Sequence, residues 1–329
     1  MLEHGGRLRK AAQQYGIPLE QWLDLSTGLA PTPWPIPEIP LSAWARLPED
    51  EDGLEAAARE YYGALSLLPV AGSQAAIQAL PALRLPGRVG LLTPCYAEHE
   101  QAWRRQGHQV VPLRDDEVDV ALDSLDALVL VNPNNPTGRL LTPETLMAWQ
   151  ARLAERGGWL VVDEAFMDLT PAYSLSAYAH RPGLIVLRSF GKFFGLAGIR
   201  LGFVLAPDAL LARLQKLLGP WAVSGPARAV ARMILLDQSG HAWQREQLEQ
   251  GSQRLSALLQ RYGVIPTSGC GLFCWWLDEG AEALHKHLAQ RAILTRLFPA
   301  LSGLRFGLPS AEADWARLEQ ALHGYKDRS

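Results

Sequence analysis

The sequence lacks several features that identify whole classes of proteins. It has only three cysteines, Cys95, Cys270 and Cys274, an odd and sparse set that is typical of reduced thiols and not of a disulfide framework. Cys270 and Cys274 are four residues apart in an apolar stretch that predicts a strand, where they could share a face. Because no further ligands lie near them in the sequence, we predict no metal site.

An excess of one charge and long apolar runs are also missing. The 31 basic and 34 acidic residues nearly balance, and the run of like charge at residues 49–52 predicts a solvated loop. Such a balance argues against binding to nucleic acid or to an anionic membrane. No segment reaches the roughly 18 apolar residues of a membrane span, and the N-terminus lacks the apolar core of a secretion signal. We therefore expect a cytoplasmic protein.

What the sequence does contain is an alternation of helical patterns with short apolar runs. Helices are predicted at 54–62, 74–83, 97–106 and 143–156, the last with Thr142 as its cap, Pro143 at its first position and Gly157 after its end. Strands are predicted at 89–93, 109–113, 127–131, 159–162, 184–187 and 201–205. Several runs are apolar throughout, as in strands that are buried on both faces. The alternation predicts an α/β fold with a mostly parallel sheet.

After Pro207 the pattern changes to a smaller α+β lobe. Helical patterns at 208–218, 226–262, 281–291 and 312–323 surround two short strands at 272–277 and 304–307. A proline-rich connector at 31–40 precedes the α/β part. We expect an N-terminal segment (1–40) that packs at the active site or small domain, a large domain (41–237) and a small domain (238–329).

Polar residues that could carry chemistry follow the apolar runs. In open α/β sheets, ligands bind at the carboxyl ends of the strands. Asn135, Asp163 and Lys192 each come soon after a run, and Arg200 follows Lys192 closely. Taken singly, each has an explanation that involves no function. The NPNNPTG segment at 132–138 could be a turn, and a single lysine or aspartate could be solvated. Their order along the chain makes a common site the stronger interpretation.

This ordered set resembles a known family over nearly the whole chain. Asn-Pro-Thr-Gly, Asp-x-Ala-aromatic and Ser-x-x-Lys…Arg-x-Gly are similar to the motifs of the fold-type-I pyridoxal 5′-phosphate (PLP) enzymes. The nearest branch is the one that contains the histidinol-phosphate aminotransferases and the threonine-phosphate decarboxylases of the cobalamin pathway. The resemblance implies a fold-type-I PLP-dependent transferase fold, with PLP bound by the large domain and a homodimer with active sites at its interface.

The resemblance also implies roles for the residues that match the motifs. Lys192 would hold PLP as a Schiff base and move protons, and Asp163 would keep the pyridine nitrogen protonated, so that the ring accepts electrons. Tyr96 would stack on the ring, although a plain core aromatic is the alternative. The remaining cofactor residues would be Asn135, which donates to the ring oxygen O3′, and Gly72, Ser73, Gln74, Ser189 and Arg200, which bind the cofactor phosphate.

Within the branch, two features favour the decarboxylases. Phe166 stands where histidinol-phosphate aminotransferases carry a tyrosine, and His4-Gly5-Gly6 is similar to an early motif of the decarboxylases. The resemblance then implies decarboxylation of L-threonine O-3-phosphate to (R)-1-amino-2-propanol O-2-phosphate. The alternative is a histidinol-phosphate or other class I/II aminotransferase that uses 2-oxoglutarate and glutamate. A regulator with a degenerate PLP site is a further alternative, against which the retained Lys192 and Asp163 argue.

The resemblance assigns the substrate's two anions to basic residues. Arg305 would bind the carboxylate, and Arg296 with His4 would bind the phosphate, because guanidinium groups suit both anions. Gly5 and Gly28 complete the implied substrate set, while a surface role for Arg296 stays open. This chain departs from its relatives in three places besides Phe166, at Ala30, Leu47 and Gly191, where asparagine, tyrosine and serine or threonine are usual.

Overall fold

The structure, a computed structural model, describes residues 4–326 and divides them into two compact units. The large unit comprises Trp34–Asn135 and Leu140–Ala242. The small unit comprises the described residues up to Pro33, the segment Pro136–Arg139 and those from Trp243 onward.

Helices and strands alternate along most of the chain, with short 3₁₀ turns between them. The helices are α1 (Leu8–Tyr15), α2 (Leu41–Ala45), α3 (Leu54–Tyr62), α4 (Ser73–Ala79), α5 (Glu98–Arg105), α6 (Val118–Ala121), α7 (Pro143–Ala154), α8 (Phe190–Phe193), α9 (Asp208–Leu218), α10 (Gly225–Leu235), α11 (Gln238–Arg261), α12 (Ala281–Ala289) and α13 (Glu312–Lys326). The strands are β1 (Leu23–Asp24), β2 (Leu68–Val70), β3 (Arg88–Leu92), β4 (Gln109–Leu113), β5 (Ala127–Val131), β6 (Trp159–Asp163), β7 (Leu184–Ser189), β8 (Gly202–Leu205), β9 (Ser268–Cys270), β10 (Phe273–Leu277), β11 (Ile293–Leu294), β12 (Arg296–Phe298) and β13 (Gly303–Gly307). Across residues 4–326, none of these helices is both long enough and apolar enough to span a membrane.

The large unit is built on a seven-stranded sheet in the order β2-β8-β7-β6-β5-β3-β4. The neighbouring pairs from β7 to β4 are parallel, and β8 is antiparallel to both of its neighbours. All residues of β5, β6 and β7 are buried, as expected for central strands that are covered on both faces. The predicted mostly parallel α/β sheet is confirmed. The chain reverses between β7 and β8, in the segment that carries Lys192 and Arg200.

Local capping explains where two helices begin. The Thr142 side chain accepts a hydrogen bond from the Thr145 N–H at the start of α7, as predicted. The helix predicted at 226–262 is wrong as a single element, because α10 ends at Leu235 and α11 begins at Gln238. The Asp237 carboxylate between them accepts from the Gly240 N–H at 2.9 Å, which caps the new helix and competes with continuation of the old one.

The small unit contains a four-stranded antiparallel sheet and a two-stranded parallel one. The larger sheet has the order β12-β13-β10-β9, and β1 pairs with β11. Cys270 lies on β9 and Cys274 on β10, so the single strand expected to carry both cysteines is a hairpin. The helix α1 packs through Ala11 into an apolar cluster with Trp22 and Ala289.

The acidic run at 49–52 is only partly the solvated loop that the sequence predicts. Glu49, Asp50 and Glu51 are exposed, but Asp52 is half-buried. Its carboxylate accepts hydrogen bonds from the Arg228 guanidinium at 2.7 and 2.8 Å. The pairing follows from the burial of Arg228, which is 4% exposed and needs an acidic partner.

Candidate active site

Lys192 and Asp163, the two predicted catalytic residues, lie at the carboxyl ends of neighbouring parallel strands. Asp163 is the last residue of β6 and lies opposite Leu187 of β7, while Lys192 lies in α8, directly after β7. Asp163 is buried and Lys192 is half-buried. The Lys192 Nζ lies 5.6 Å from the centroid of the Phe166 ring. A buried carboxylate and an amine therefore lie at the carboxyl ends of the central strands, and the ring of Phe166 lies beside the amine.

The carboxylate of Asp163 is held in place from two sides. His99 Nε2 lies 3.0 Å from Asp163 Oδ2, and the Ala165 N–H donates to Oδ1 at 3.1 Å. His99 is 1% exposed and belongs to α5. His99 was not predicted from the sequence. The rings of Tyr96 and His99 lie 6.2 Å apart, but Tyr96 precedes α5, so their spacing in the sequence does not indicate a shared helix face.

Tyr96 is held by a polar network that starts in α4. Its hydroxyl donates to Gln74 Oε1 at 3.2 Å, and Gln74 Nε2 donates to Glu98 Oε2 at 3.0 Å. Burial raises the pKa of Tyr96 to about 12, and the negative charges of Glu98 and Asp163 act in the same direction. The phenol ring lies 6.2 Å from the His99 ring, which in turn contacts the Asp163 carboxylate, so Tyr96 lies on the same side of the site as the carboxylate that was predicted to face a pyridine nitrogen.

Gly72, Ser73 and Arg200 form a cradle of positive charge. Gly72 has a φ of 73°, and a Cβ there would lie 2.6 Å from Arg200 Nη2, so the guanidinium packs on a backbone that only glycine permits. Ser73 begins α4, where N–H groups lack helical partners. Ser189 lies opposite Gly202, whose Cβ would lie 2.5 Å from the Ser73 nitrogen. Guanidinium and backbone N–H groups in this arrangement suit a phosphate.

The remaining predicted cofactor residue, Asn135, lies in the loop after β5 and is half-buried. Neighbouring asparagines fix this loop: Asn132 exchanges hydrogen bonds with the backbone of Leu141 at 2.8 and 3.1 Å, and Asn134 donates to Pro94 O at 2.8 Å. All predicted cofactor residues belong to the large unit. A phosphate cradle, an amine, a buried carboxylate and an aromatic ring are the donor set that PLP requires, so the residues fit this cofactor.

The departure at Gly191 has a steric reason. A Cβ at this position would lie 2.8 Å from Ala197 Cα and 3.2 Å from Ala197 N, closer than real Cβ atoms approach. The serine or threonine that is usual in the relatives therefore does not fit this conformation of the segment. Gly191 reflects the close approach of α8 to the loop that follows it.

A buried ion cluster lies close to the catalytic residues along the chain, and it was not predicted from the sequence. Arg188, 2% exposed, donates to Glu164 at 2.8 Å and to Asp168 at 2.8 Å. Burial acts to lower the pKa of Arg188, but the charges of Asp168 and Glu164 outweigh it and raise that pKa above its ordinary value. Glu164 directly follows Asp163, and Arg188 directly precedes Ser189. The cluster therefore fastens the ends of β6 and β7 to each other.

The five predicted substrate residues all belong to the small unit. Arg296 and Arg305 lie opposite each other on β12 and β13. Arg305 is buried, donates to Ser26 O at 2.8 Å and lies 5.0 Å from the Phe273 ring centroid. Burial lowers the pKa of Arg305 to about 10, and the like charge of Arg296 acts in the same direction. An anion bound beside the two arginines would reverse both effects.

The glycines near the N-terminus are packed against Ser26. A Cβ at Gly5 would lie 2.3 Å from Ser26 O, and the Gly6 N–H donates to Ser26 Oγ at 2.7 Å. Ser26 is in turn held by Asp24, which accepts from its hydroxyl at 2.6 Å. His4 and Gly5 line the same cavity as Arg296, and Gly28 is buried. His4, Gly5 and Arg296 therefore lie around one cavity.

A mostly parallel sheet with a lysine, a buried aspartate and a phosphate cradle at its carboxyl edge is the arrangement predicted for a fold-type-I PLP enzyme. A family model described as Aminotransferase class I and II matches residues 49–322. Because the match spans most of the 329 residues, the chain belongs to the aminotransferase class I and II family.

Particular relatives narrow this class. The chain is 61% identical to the threonine-phosphate decarboxylase of Pseudomonas aeruginosa over 99% of both proteins. It is 43% identical to the threonine-phosphate decarboxylase of a Sinorhizobium species over 97% of both. The structure of histidinol-phosphate aminotransferase from Sinorhizobium meliloti in complex with pyridoxal 5′-phosphate superposes with a TM-score of 0.85, covering 99% of this chain and 96% of that one. Because the two chains are only 19% identical, this similarity shows the fold alone.

Proposed function

We propose that this chain decarboxylates L-threonine O-3-phosphate to (R)-1-amino-2-propanol O-2-phosphate in cobalamin biosynthesis, with PLP as its cofactor. The observation that carries the proposal is the 61% identity to a named threonine-phosphate decarboxylase over 99% of both chains. The paired arginines of β12 and β13 support it, because the substrate carries two anionic groups.

The cofactor is assigned to the large unit. Lys192 would hold it covalently, Asp163 would bind its pyridine nitrogen, Tyr96 would stack on its ring and Arg200 would bind its phosphate. The other members of the set are Gly72, Ser73, Gln74, Asn135 and Ser189. When bound, PLP supplies an electron-accepting ring that stabilises the electron pair left when a bond at the substrate Cα breaks. Asp163, fixed by His99 and the Ala165 N–H, keeps the ring in its electron-accepting form.

Anion binding selects the bond that breaks. Arg305 binds the carboxylate, and Arg296 with His4 binds the phosphate, while Gly5 and Gly28 shape the backbone of this region. Holding both anions would fix the rotation about Cα and so select the carboxylate as the group that leaves as CO₂. The Lys192 amine would then return a proton to Cα.

We propose further that the enzyme acts as a cytoplasmic homodimer, as the family resemblance implies. Exposed apolar side chains in and after α2 support an interface, with Leu41 79%, Trp44 65% and Leu47 64% exposed. Large apolar side chains exposed within one short segment suit an association site. Sedimentation equilibrium should give twice the 36.2 kDa chain mass, and a monomer at catalytic concentrations would contradict this part of the proposal.

The test of the activity is release of labelled CO₂ from carboxyl-labelled substrate by the PLP-loaded protein, without any keto acid. Lys192→Ala should abolish the release, whereas Lys216→Ala, which removes an exposed lysine of the same unit, should leave it unchanged. No release from the threonine ester, together with amino transfer from histidinol phosphate to 2-oxoglutarate, would show that the chain is an aminotransferase.

A further inference from the structure

The small unit contains a cavity whose lining is strongly basic. Five basic side chains line it, and none of its described lining residues is acidic. Two of the five, His4 and Arg296, already belong to the proposed phosphate site. The other three, Arg7, Lys10 and His285, have no role in the function proposed above. A cavity with this charge favours an anion of more than one negative charge.

Lys10 reaches the cavity because of how α1 is anchored. Ala11, the next residue, is 6% exposed and packs against Trp22 and Ala289. Lys10 and Gln14 are about one helical turn apart, and both line the cavity. Arg9, on the other side of Lys10, is exposed and does not line the cavity. Both cations are exposed, but the helix places only Lys10 at the cavity.

His285 is fixed beside the strand that carries Arg296. Its Nδ1 lies 2.8 Å from Thr295 Oγ1, and Thr295 is 2% exposed and directly precedes Arg296. This hydrogen bond joins α12 to the start of β12 and orients the imidazole at the cavity wall. A ring fixed in this way can contribute a directed hydrogen bond to a bound oxyanion.

We propose that Lys10 and His285 bind the substrate phosphate together with Arg296 and His4, and that Lys10 sets a preference for a dianion over a monoanion. The proposal rests on the proposed function, whose substrate carries a phosphate ester. Coulomb energy scales with the charge of the ligand, so each cation contributes about twice as much to a dianion as to a monoanion of the same shape. His285 acts by hydrogen bonding and contributes similarly to both.

Calorimetry on the PLP-loaded enzyme tests this without turnover, with inorganic phosphate and sulfate as probes at pH 8, where phosphate is mostly dianionic. Sulfate, a tetrahedral dianion, and perchlorate, a tetrahedral monoanion of the same shape, make the charge comparison. The unmodified enzyme should bind sulfate at least about tenfold more tightly than perchlorate. Lys10→Gln should lower that preference by about threefold to tenfold, and Lys10→Arg should restore most of it.

Matched variants separate the two contributions from a general loss of charge. Arg9→Gln removes the adjacent exposed cation and should leave the preference unchanged. His285→Ala should weaken the binding of sulfate and of perchlorate by similar factors, while Lys286→Ala, which changes its exposed neighbour, should weaken neither. Equal effects of Lys10→Gln and Arg9→Gln would overturn the proposal. Failure of CO₂ release with an intact Lys10 effect would overturn the proposed reaction and leave the phosphate site standing.

Discussion

Two buried arginines, Arg188 in the large unit and Arg305 in the small unit, are almost equally inaccessible at 2% and 6% exposure. Arg188 donates to two carboxylates, and its pKa is raised. Arg305 donates to a backbone carbonyl, lies opposite a second arginine, and has a pKa lowered by burial to about 10. Burial alone therefore does not tell a structural cation from a binding one. Arg188 has its counter-charges inside the protein, and we propose that the counter-charge of Arg305 is an anion of the substrate.

The largest expected effect concerns Arg188, the structural arginine of this comparison. Arg188→Met leaves Glu164 and Asp168 buried without their cation, which should lower the free energy of unfolding by about 3–5 kcal/mol. Arg305→Met removes a charge that burial disfavours and should change it by less than about 1 kcal/mol, while raising the KM. Urea unfolding of both variants measures the difference. Equal losses of stability in the two variants would contradict the comparison.

Arg188→Met should also change how the free energy of unfolding depends on pH. Burial raises the pKa of Glu164, and the charge of Arg188 acts to lower it. Removing Arg188 should therefore raise the pKa of Glu164 further. A carboxyl whose pKa is higher in the folded state than in the unfolded state stabilises the protein at low pH and loses this contribution as pH rises. The deficit of Arg188→Met should therefore grow from pH 4.5 upward, and a deficit that shrinks over this range would refute the assignment.

A smaller effect is expected from a glycine substitution in the N-terminal segment that lines the proposed phosphate site. Gly5→Ala places a Cβ 2.3 Å from Ser26 O, which should displace His4 and Gly5 from the cavity wall. The KM for the phosphorylated substrate should rise on the order of tenfold, with a smaller change in kcat. Gly324→Ala is the control, because a Cβ there meets no atom within 4 Å. An unchanged KM in Gly5→Ala would remove this segment from the site.

Tyr96 provides a spectroscopic test in the large unit. Because burial raises its pKa to about 12, its phenol should stay protonated at pH 11, where an ordinary tyrosine is ionised. Any stability that follows from this raised pKa is present below pH 10 and falls as pH rises toward 12. Phenolate absorbance of the parent protein and of Tyr96→Phe should therefore coincide at pH 11. A clear excess in the parent would show that Tyr96 is accessible to solvent and poorly placed for stacking.

The smallest effect concerns Phe166, whose ring lies 5.6 Å from Lys192 Nζ. Phe166→Tyr should add a donor for the cofactor oxygen O3′, as in the related aminotransferases. A hydrogen bond of about 1 kcal/mol to the anionic oxygen should lower the apparent pKa of the cofactor absorbance by about half to one pH unit. An unchanged titration would show that the tyrosine hydroxyl does not reach the cofactor.

The sequence predicted most of the large sheet, including its edge strand β4, and missed the strand at the other edge, β2. The runs 127–131, 159–162 and 184–187 are apolar throughout, so their pattern alone indicated burial on both faces. The strand β2, with Pro69 at its centre, gives no such pattern, and β8 looks like a parallel strand because direction leaves no trace in composition. The break at Asp237 was missed because the helical pattern continues on both sides of it.

The candidate site was predictable where it depends on motifs and hidden where it depends on packing. Lys192, Asp163 and Arg200 lie in short motifs that are visible in the sequence. His99, Arg188 and Lys10 act through contacts between distant segments, and no local pattern separates them from ordinary histidines, arginines and lysines. Only the fold brings His99 to within 3.0 Å of Asp163.

The most direct test of the account is the fate of L-threonine O-3-phosphate when 2-oxoglutarate is present at the same time. The account predicts that each substrate consumed yields one CO₂ and one amino alcohol phosphate, with no glutamate formed. Formation of glutamate with the carboxyl label retained in a keto acid would contradict it, because the bound anions would then place the Cα–H, and not the carboxylate, in position to leave.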